Sequence, residues 1–306
     1  MSGAVHVTGL RPGDRIGIAA PAAPANAGLL ARGLRVLEGM GFRTRVGSAA
    51  ATQRGYLAGP DAARAGALNE LIDDPEVRAI LFARGGFGTG RILDRIHLDE
   101  LRRRPRVLVG FSDLTALLMA LQRGGPYPVG YGPHLSDLGR PARFQAGSLR
   151  RFLVDPDRPV AVDLRRCRTL VDGNAQGILQ GGCLTLLQSL LGTPWQPDLR
   201  GSILFWEDWN EEPYRIDRML THLQAAGALE GIRGMVVGRP IRVKARRGQP
   251  SLSLEEILLD HAGPLGVPVV LGIPAGHCPR KLTLPLGLPA RLDTRRGVLE
   301  IGAAVP

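Results

Sequence analysis

The sequence predicts an α/β protein: a parallel sheet covered by helices in the first half, and a smaller, strand-rich second half. Three observations lead there. Strand-length apolar runs alternate with segments whose apolar residues recur at helical spacing. Some runs, such as Val107-Leu108-Val109, are continuous and β-branched, which suits a strand buried on both faces. After about residue 155 the pattern changes, and "DPDRPVAVDLRRCRTLVDGNAQG" offers short β-like runs and turn residues without a long helix. The boundary is placed there, giving domains over 1–160 and 168–306.

The elements follow in order. "DRIGIAAP" (14–21) reads as a strand ending in a Pro/Ala loop, and "AGLLARGLRVLEGMG" (27–41) as a helix closed by Gly41. "FRTRVGS" is a strand, and "PDAARAGALNELIDD" (60–74) a helix with Pro60 or Asp61 near its start. "VRAILFA" (77–83) is a strand and "GTGRILDRI" opens a helix. "VLVGFSDLTALLMAL" (107–121) then reads strand, sharp turn, helix. In the second half, "CLTLLQSLLG" (183–192) and "YRIDRMLTHLQAAG" (214–227) are helical, while "GSILFWED" (201–208), "MVVGRPI" and "VPVVLGIPAG" are strands. "ARLDTRRGVLEIGA" resembles a closing hairpin.

Composition narrows the function classes. The chain is 306 residues long and 44% apolar, enough for a substantial core. No apolar run approaches the roughly 18–20 residues of a membrane helix. "MSGAVHVTGLRPGDRIGIAAPAAP" lacks a basic stretch before an apolar one, so no secretory signal is expected. Cys167, Cys183 and Cys278 show no C-x-x-C spacing and cannot all pair, which fits a reducing, cytoplasmic setting. The net charge of +11 is spread over arginines, with only 5% aromatic residues and no basic–aromatic interleaving. A solvated surface with some attraction for anionic small substrates fits this better than nucleic-acid binding.

Four places could carry chemistry. Ser112, between strand and helix, is either a helix N-cap or the hydroxyl of a nucleophile elbow, although G-x-S-x-G is incomplete because Leu114 follows Asp113. "ARGGFGTGR" (83–91) lacks the spacing of a dinucleotide fingerprint and is no P-loop. It is a tight strand-to-helix loop or half of an oxyanion hole at the carboxyl edge of the sheet, where Ser112 also belongs. "ILFWED" ends a strand in Glu207-Asp208, either an acid placed in a cleft or a soluble strand end, with Trp206 and Trp209 as pocket wall or core. "GIPAGHCPRKLTLPLG" places His277 in a Gly/Pro loop, where His134 of "YGPHLSD" is its one rival. Neighbours in an extended loop point apart, which argues against a Cys278–His277 pair. Neither H-x-x-x-H nor H-E-x-x-H occurs, so no metal site is expected.

Together, "GIAAPAAP", "GYLAGPDAARAGALNELIDDPEVRAILFARGGFGTGRIL", "LVGFSDLTALL", "GILQGGCLTLLQSLLGTPWQPDLRGSILFWEDWNEEPYRIDRMLTHL" and "GHCPRKLTLPLG" resemble the LD-carboxypeptidases. This serine peptidase family includes muramoyltetrapeptide carboxypeptidase and the microcin C self-immunity peptidase. The resemblance implies a flavodoxin-like N-terminal domain with a nucleophile at Ser112. It implies a smaller β-rich C-terminal domain carrying Glu207 and His277, which complete a Ser-Glu-His triad. It further implies a homodimer, no cofactor, and oxyanion N–H groups from Gly86 and Asp113. The substrate implied is a cytoplasmic murein tetrapeptide that loses its terminal D-alanine, with no nucleic-acid or membrane partner. Arg84, at the same sheet edge, is a candidate for the substrate carboxylate or a structural ion pair. Cys183 stands where asparagine is common, and "FWEDWNEEPY" has tryptophans where aliphatic residues are usual, departures that bear on substrate preference. Two alternatives remain: the same fold and triad acting on a peptidyl-nucleotide or other acyl-amide, and a non-catalytic nucleotide-binding protein in which Ser112 caps a helix.

Overall fold

Continuous apolar runs form strands with both faces covered. In the computed structural model, which describes residues 5–302, the first half supplies β1 (Arg15–Ala19), α1 (Ala27–Gly39), β2 (Arg43–Val46), α2 (Asp61–Asp73), β3 (Val77–Phe82) and α3 (Leu98–Arg103). After these come β4 (Val107–Gly110), α4 (Thr115–Gln122), β5 (Val129–Tyr131), α5 (Leu135–Leu138) and α6 (Ala146–Val154). Every residue of β4 is buried, as is every residue of β3 except Arg78. The strands lie in the order β2-β1-β3-β4-β5, and every pair among them is parallel. This is the flavodoxin-like order.

Local chemistry sets the helix ends. Asn26 caps α1 by accepting the Leu29 N–H (3.1 Å), and Leu29, Gly33 and Leu37 form its buried face. Gly41 lies just beyond its end at φ +93°, which glycine tolerates and bulkier residues resist. The stretch expected to open a helix at "GTGRILDRI" is instead a short 3-10 turn over Thr89–Arg95. The Asn69 side chain donates to the Arg95 carbonyl (2.7 Å) and accepts the His97 N–H (3.0 Å), holding a break before α3.

The second half supplies β6 (Val160–Asp163), β7 (Arg168–Val171), β8 (Asn174–Cys183), α7 (Leu184–Ser189), β9 (Ser202–Glu207) and α8 (Pro213–Ala225). It continues with β10 (Gly234–Gly238), α9 (Leu254–Ala262), β11 (Val269–Ile273), β12 (Leu284–Leu286), β13 (Leu288–Asp293) and β14 (Val298–Ile301). An eight-stranded sheet runs β6-β14-β13-β8-β9-β10-β11-β7. Its centre, β8 to β11, is parallel, and β7, β13, β14 and β6 extend it in antiparallel pairings. The expected hairpin is β13–β14, with Asp293 opposite Val298.

The chain separates into two units. One runs up to Asp157 and includes Pro279–Pro285; the other takes Arg158–Cys278 and the chain from Leu286 onward. A single boundary near residue 160 does not describe this, because β12 becomes the sixth strand of the first sheet, beside β5. Its approach is held by backbone bonds from Arg280 N–H to the Ala142 carbonyl (3.1 Å) and from Gln145 N–H to the Lys281 carbonyl (3.0 Å).

The start of α2 shows charge used inside this fold. Arg64, only 1% exposed, donates to the carbonyls of Pro21, Gly59 and Gly88 and pairs with Asp61. Arg91 grips both oxygens of the same carboxylate. The Arg91 bonds, then those of Arg64, outweigh desolvation and hold the Asp61 carboxyl down at about 2. A pKa lowered by folding stabilises fully above the ordinary Asp range, and this is lost as pH falls through the folded value. Asp61→Asn should therefore lower the melting temperature near neutral pH, and its gap from wild type should narrow as pH falls from about 4 toward 2. A gap independent of pH in thermal melts would contradict this account.

Candidate functional site

The turn after β4 places Ser112 in the left-handed region, at φ +60°. For a residue with a β-carbon this conformation costs on the order of 1–3 kcal/mol and persists only where its surroundings impose it. They do so here. Ser112 N–H donates to the Tyr131 hydroxyl (3.3 Å), and Leu114 N–H closes the turn onto the Phe111 carbonyl (3.2 Å). Phe111 packs edge-on against Tyr131 (6.0 Å between centroids) and stacks on His134 (4.2 Å). Gly110 before it is required, since a β-carbon there would come within 2.6 Å of the Phe82 ring. The N-cap positions of the 3-10 turn over Ser112–Leu114 and of α4 are Phe111 and Leu114, so Ser112 stands at neither cap.

The glycine loop that follows β3 lies against this turn. A β-carbon on Gly85 would stand 3.1 Å from Ser112 Cβ and 3.3 Å from its Oγ. Gly86 has φ +114°, and a β-carbon there would press to 2.6 Å on Ala23. Asp113 is buried, and its carboxylate accepts the Thr89 N–H (2.8 Å). Arg84 is exposed and reaches the Pro24 carbonyl (3.3 Å), in an open cleft with Tyr56, Phe87 and Gly86.

In the second unit β9 ends on Glu207, which is 2% exposed. Its carboxylate accepts the His277 backbone N–H (2.9 Å) and His277 Nδ1–H (2.8 Å to one oxygen, 3.2 Å to the other). With Nδ1 donating, the imidazole lone pair is on Nε2. Glu207 ends β9 and His277 follows β11, with β10 between those strands. The carboxylate therefore passes the end of β10, where Gly238 leaves room: a β-carbon there would lie 2.4 Å from Glu207 Cβ. Gly276, at φ +85°, is equally constrained, because a β-carbon would fall 2.2 Å from the Glu207 carboxyl carbon.

The adjacent acid does something else. Asp208 is buried and accepts from the Thr185 N–H (2.8 Å) and hydroxyl (2.7 Å) at the start of α7, and from Trp209 N–H (2.8 Å). Burial pushes its carboxyl above the usual range. The two tryptophans also part company: Trp206 is core, while Trp209 is 44% exposed, stacked on His277 (6.0 Å) and covered by the Arg242 guanidinium (5.7 Å).

The three cysteines are free thiols, and burial pushes Cys183 well up. Among the described residues no group of three or more His, Cys, Asp and Glu could hold a metal ion, and no helix is long and apolar enough to cross a membrane. Tyr131, Arg64, Arg242 and Lys281 were not singled out by the sequence reading. Lys281, one of only two lysines, lies in "GHCPRKLTLPLG" and is the available signal.

The family models for the LD-carboxypeptidase N-terminal and C-terminal domains match residues 16–130 and 176–292. A probable murein peptide carboxypeptidase of Bacillus subtilis is 38% identical, over 96% of this chain and 94% of its own. The crystal structure of muramoyltetrapeptide carboxypeptidase from Oxalobacter formigenes is 31% identical, with a TM-score of 0.84 over 94% of this chain and 97% of that one. The microcin C7 self-immunity protein MccF, in complex with aspartyl sulfamoyl adenosine, has the same fold at a TM-score of 0.88 and 24% identity, over 96% of this chain and 97% of its own. With both domains matched in order and a relative aligned over nearly its whole length, the chain belongs to the LD-carboxypeptidase family of serine-type peptidases.

Proposed function

We propose that the protein releases terminal D-alanine from murein tetrapeptides by hydrolysing an LD-peptide bond, in the cytoplasm and as a homodimer. The observation that carries this reading is the buried Glu207 carboxylate bonded to both the backbone N–H and Nδ1 of His277. That arrangement fixes ring and tautomer as an acyl-transfer base requires. Ser112, on a strained turn and at neither cap position, is the nucleophile. In this mechanism His277 Nε2 takes the Ser112 proton as Oγ attacks the scissile carbonyl, and Glu207 stabilises the imidazolium. The Gly86 and Asp113 N–H groups receive the oxyanion. The protonated imidazole then gives its proton to the departing amine of D-alanine, and water cleaves the acyl-enzyme. Arg84 is assigned to the free carboxylate of the substrate. The substrate class is drawn from the relatives named for murein peptide and muramoyltetrapeptide.

A second reading, an acyl-amide bearing an aromatic or nucleoside group, is favoured by the exposed Trp209 ring beside His277. Purified protein offered both substrate types decides between them. D-Alanine release from murein tetrapeptide at the higher kcat/KM supports the first reading, and preference for the aminoacyl-nucleotide analogue supports the second.

Removing the strained side chain separates function from stability. Ser112→Gly should abolish D-alanine release while the melting temperature stays equal or rises, since glycine relieves on the order of 1–3 kcal/mol of backbone strain. Turnover surviving in Ser112→Gly or Ser112→Ala would remove the nucleophile assignment.

The two neighbouring acids should behave differently. Glu207→Gln should cut kcat by roughly 10⁴-fold, the scale seen when the orienting acid of a Ser-His-Asp triad becomes its amide. Asp208→Asn keeps an acceptor for Thr185 and should leave kcat within about tenfold. Steady-state kinetics giving equal losses would refute the division of roles.

A further inference from the structure

His134 was the rival of His277, and its surroundings give it a different task. It is 4% exposed and follows β5. Gly85 N–H donates to its Nδ1 (3.2 Å), while Nε2 lies 3.0 Å from the Phe111 carbonyl. The Phe111 carbonyl can only accept, and at 3.0 Å it is nearer Nε2 than the Phe111 N–H is (3.5 Å). The proton is therefore assigned to Nε2, the Nδ1 lone pair receives Gly85 N–H, and the ring is a neutral bridge. One end of that bridge is the glycine loop and the other is the residue before Ser112.

The bridge is itself braced. Phe111 has the His134 ring on it at 4.2 Å and Lys281 Nζ 4.4 Å from its centroid. Lys281, 2% exposed, pairs with Asp137 (3.1 Å), and Asp137 accepts the His134 backbone N–H (3.2 Å). His134, Phe111, Lys281 and Asp137 thus close a ring of contacts. At the far end of the glycine loop, Asp113 accepts the Thr89 N–H (2.8 Å).

We infer that the side chains of His134 and Asp113 are paired positioning residues that pin the two ends of the Gly85–Thr89 loop to the serine turn, and so aim the loop's backbone at the oxyanion. This rests on the function proposed above. Neither side chain reacts with substrate. Each acts through the backbone it holds, and an N–H displaced from the oxyanion is lost to the transition state rather than to substrate binding. The expected signature is a fall in kcat at nearly constant KM.

The experiment uses full-length protein and murein tetrapeptide, with kcat and KM measured for His134→Asn, His134→Gln and Asp113→Ala. Asparagine offers an acceptor near Nδ1 for Gly85. Glutamine offers a donor near Nε2 for Phe111 but no acceptor toward the loop. His134→Gln and Asp113→Ala should lose up to about 10²–10³-fold in kcat, the scale of one oxyanion donor, with KM within about threefold. His134→Asn should recover part of the loss. Wild-type kcat in a folded His134→Gln, an effect confined to KM, or His134→Asn no better than His134→Gln would overturn the inference. If neither His134 variant folds, wild-type kcat in Asp113→Ala overturns it. Ser112→Ala is the control for the underlying reading: turnover surviving there ends that reading and this inference with it, whereas a normal His134→Gln ends the inference alone.

Discussion

A parallel sheet delivers the carboxyl ends of its strands to one edge, and every candidate residue of this protein depends on that delivery. In the first unit, β3 ends at the glycine loop, β4 at Ser112, and β5 leads to His134. In the second, β9 ends on Glu207, β10 on Gly238, and β11 leads to Gly276 and His277. Two unrelated sheets therefore solve the same problem in the same way. Backbone bonded within the sheet is held rigidly, and the first residues beyond it can be driven into uncommon conformations such as that of Ser112.

Side-chain length follows from the same geometry. Glu207 and His277 stem from strands separated by β10, and two strand spacings are about 9.5 Å. The carboxylate that meets the imidazole must therefore be long and must pass over a residue without a side chain. The neighbouring Asp208 is shorter and turns the other way, onto Thr185. Adjacent acids in sequence are thus distinct in task because a strand alternates its faces.

Much of the first unit is legible in the sequence because its signals are local. The run Val107–Val109, the spacing of Leu29 and Leu37, and Gly41 at a helix end each act within a few residues. Ser112 is legible as a position, but not its conformation, which depends on Tyr131 and His134 more than 15 residues further on. The helix α9 is legible in principle, because Ser253 and Glu256 form a capping box whose spacing the sequence carries. The expected helix at Thr89–Arg95 is a 3-10 turn, and the break after it is held by a distant side chain, Asn69, which takes the Arg95 carbonyl and the His97 N–H. The glycines at 238 and 276 could not be interpreted, because what they make room for is the Glu207 side chain, 31 and 69 residues earlier in the chain.

The return of Pro279–Pro285 to the first unit makes the chain cross between units three times, after Asp157, Cys278 and Pro285. No single cut can release a whole domain. A fragment ending near residue 157 would bare the edge of β5 where β12 belongs, and an uncovered strand edge invites pairing with other chains. It would also leave Asp137 without Lys281. During synthesis the first unit must wait for residues made after nearly all of the second. The two units are consequently one folding problem, and an intermediate that holds an open β5 edge is where aggregation would begin.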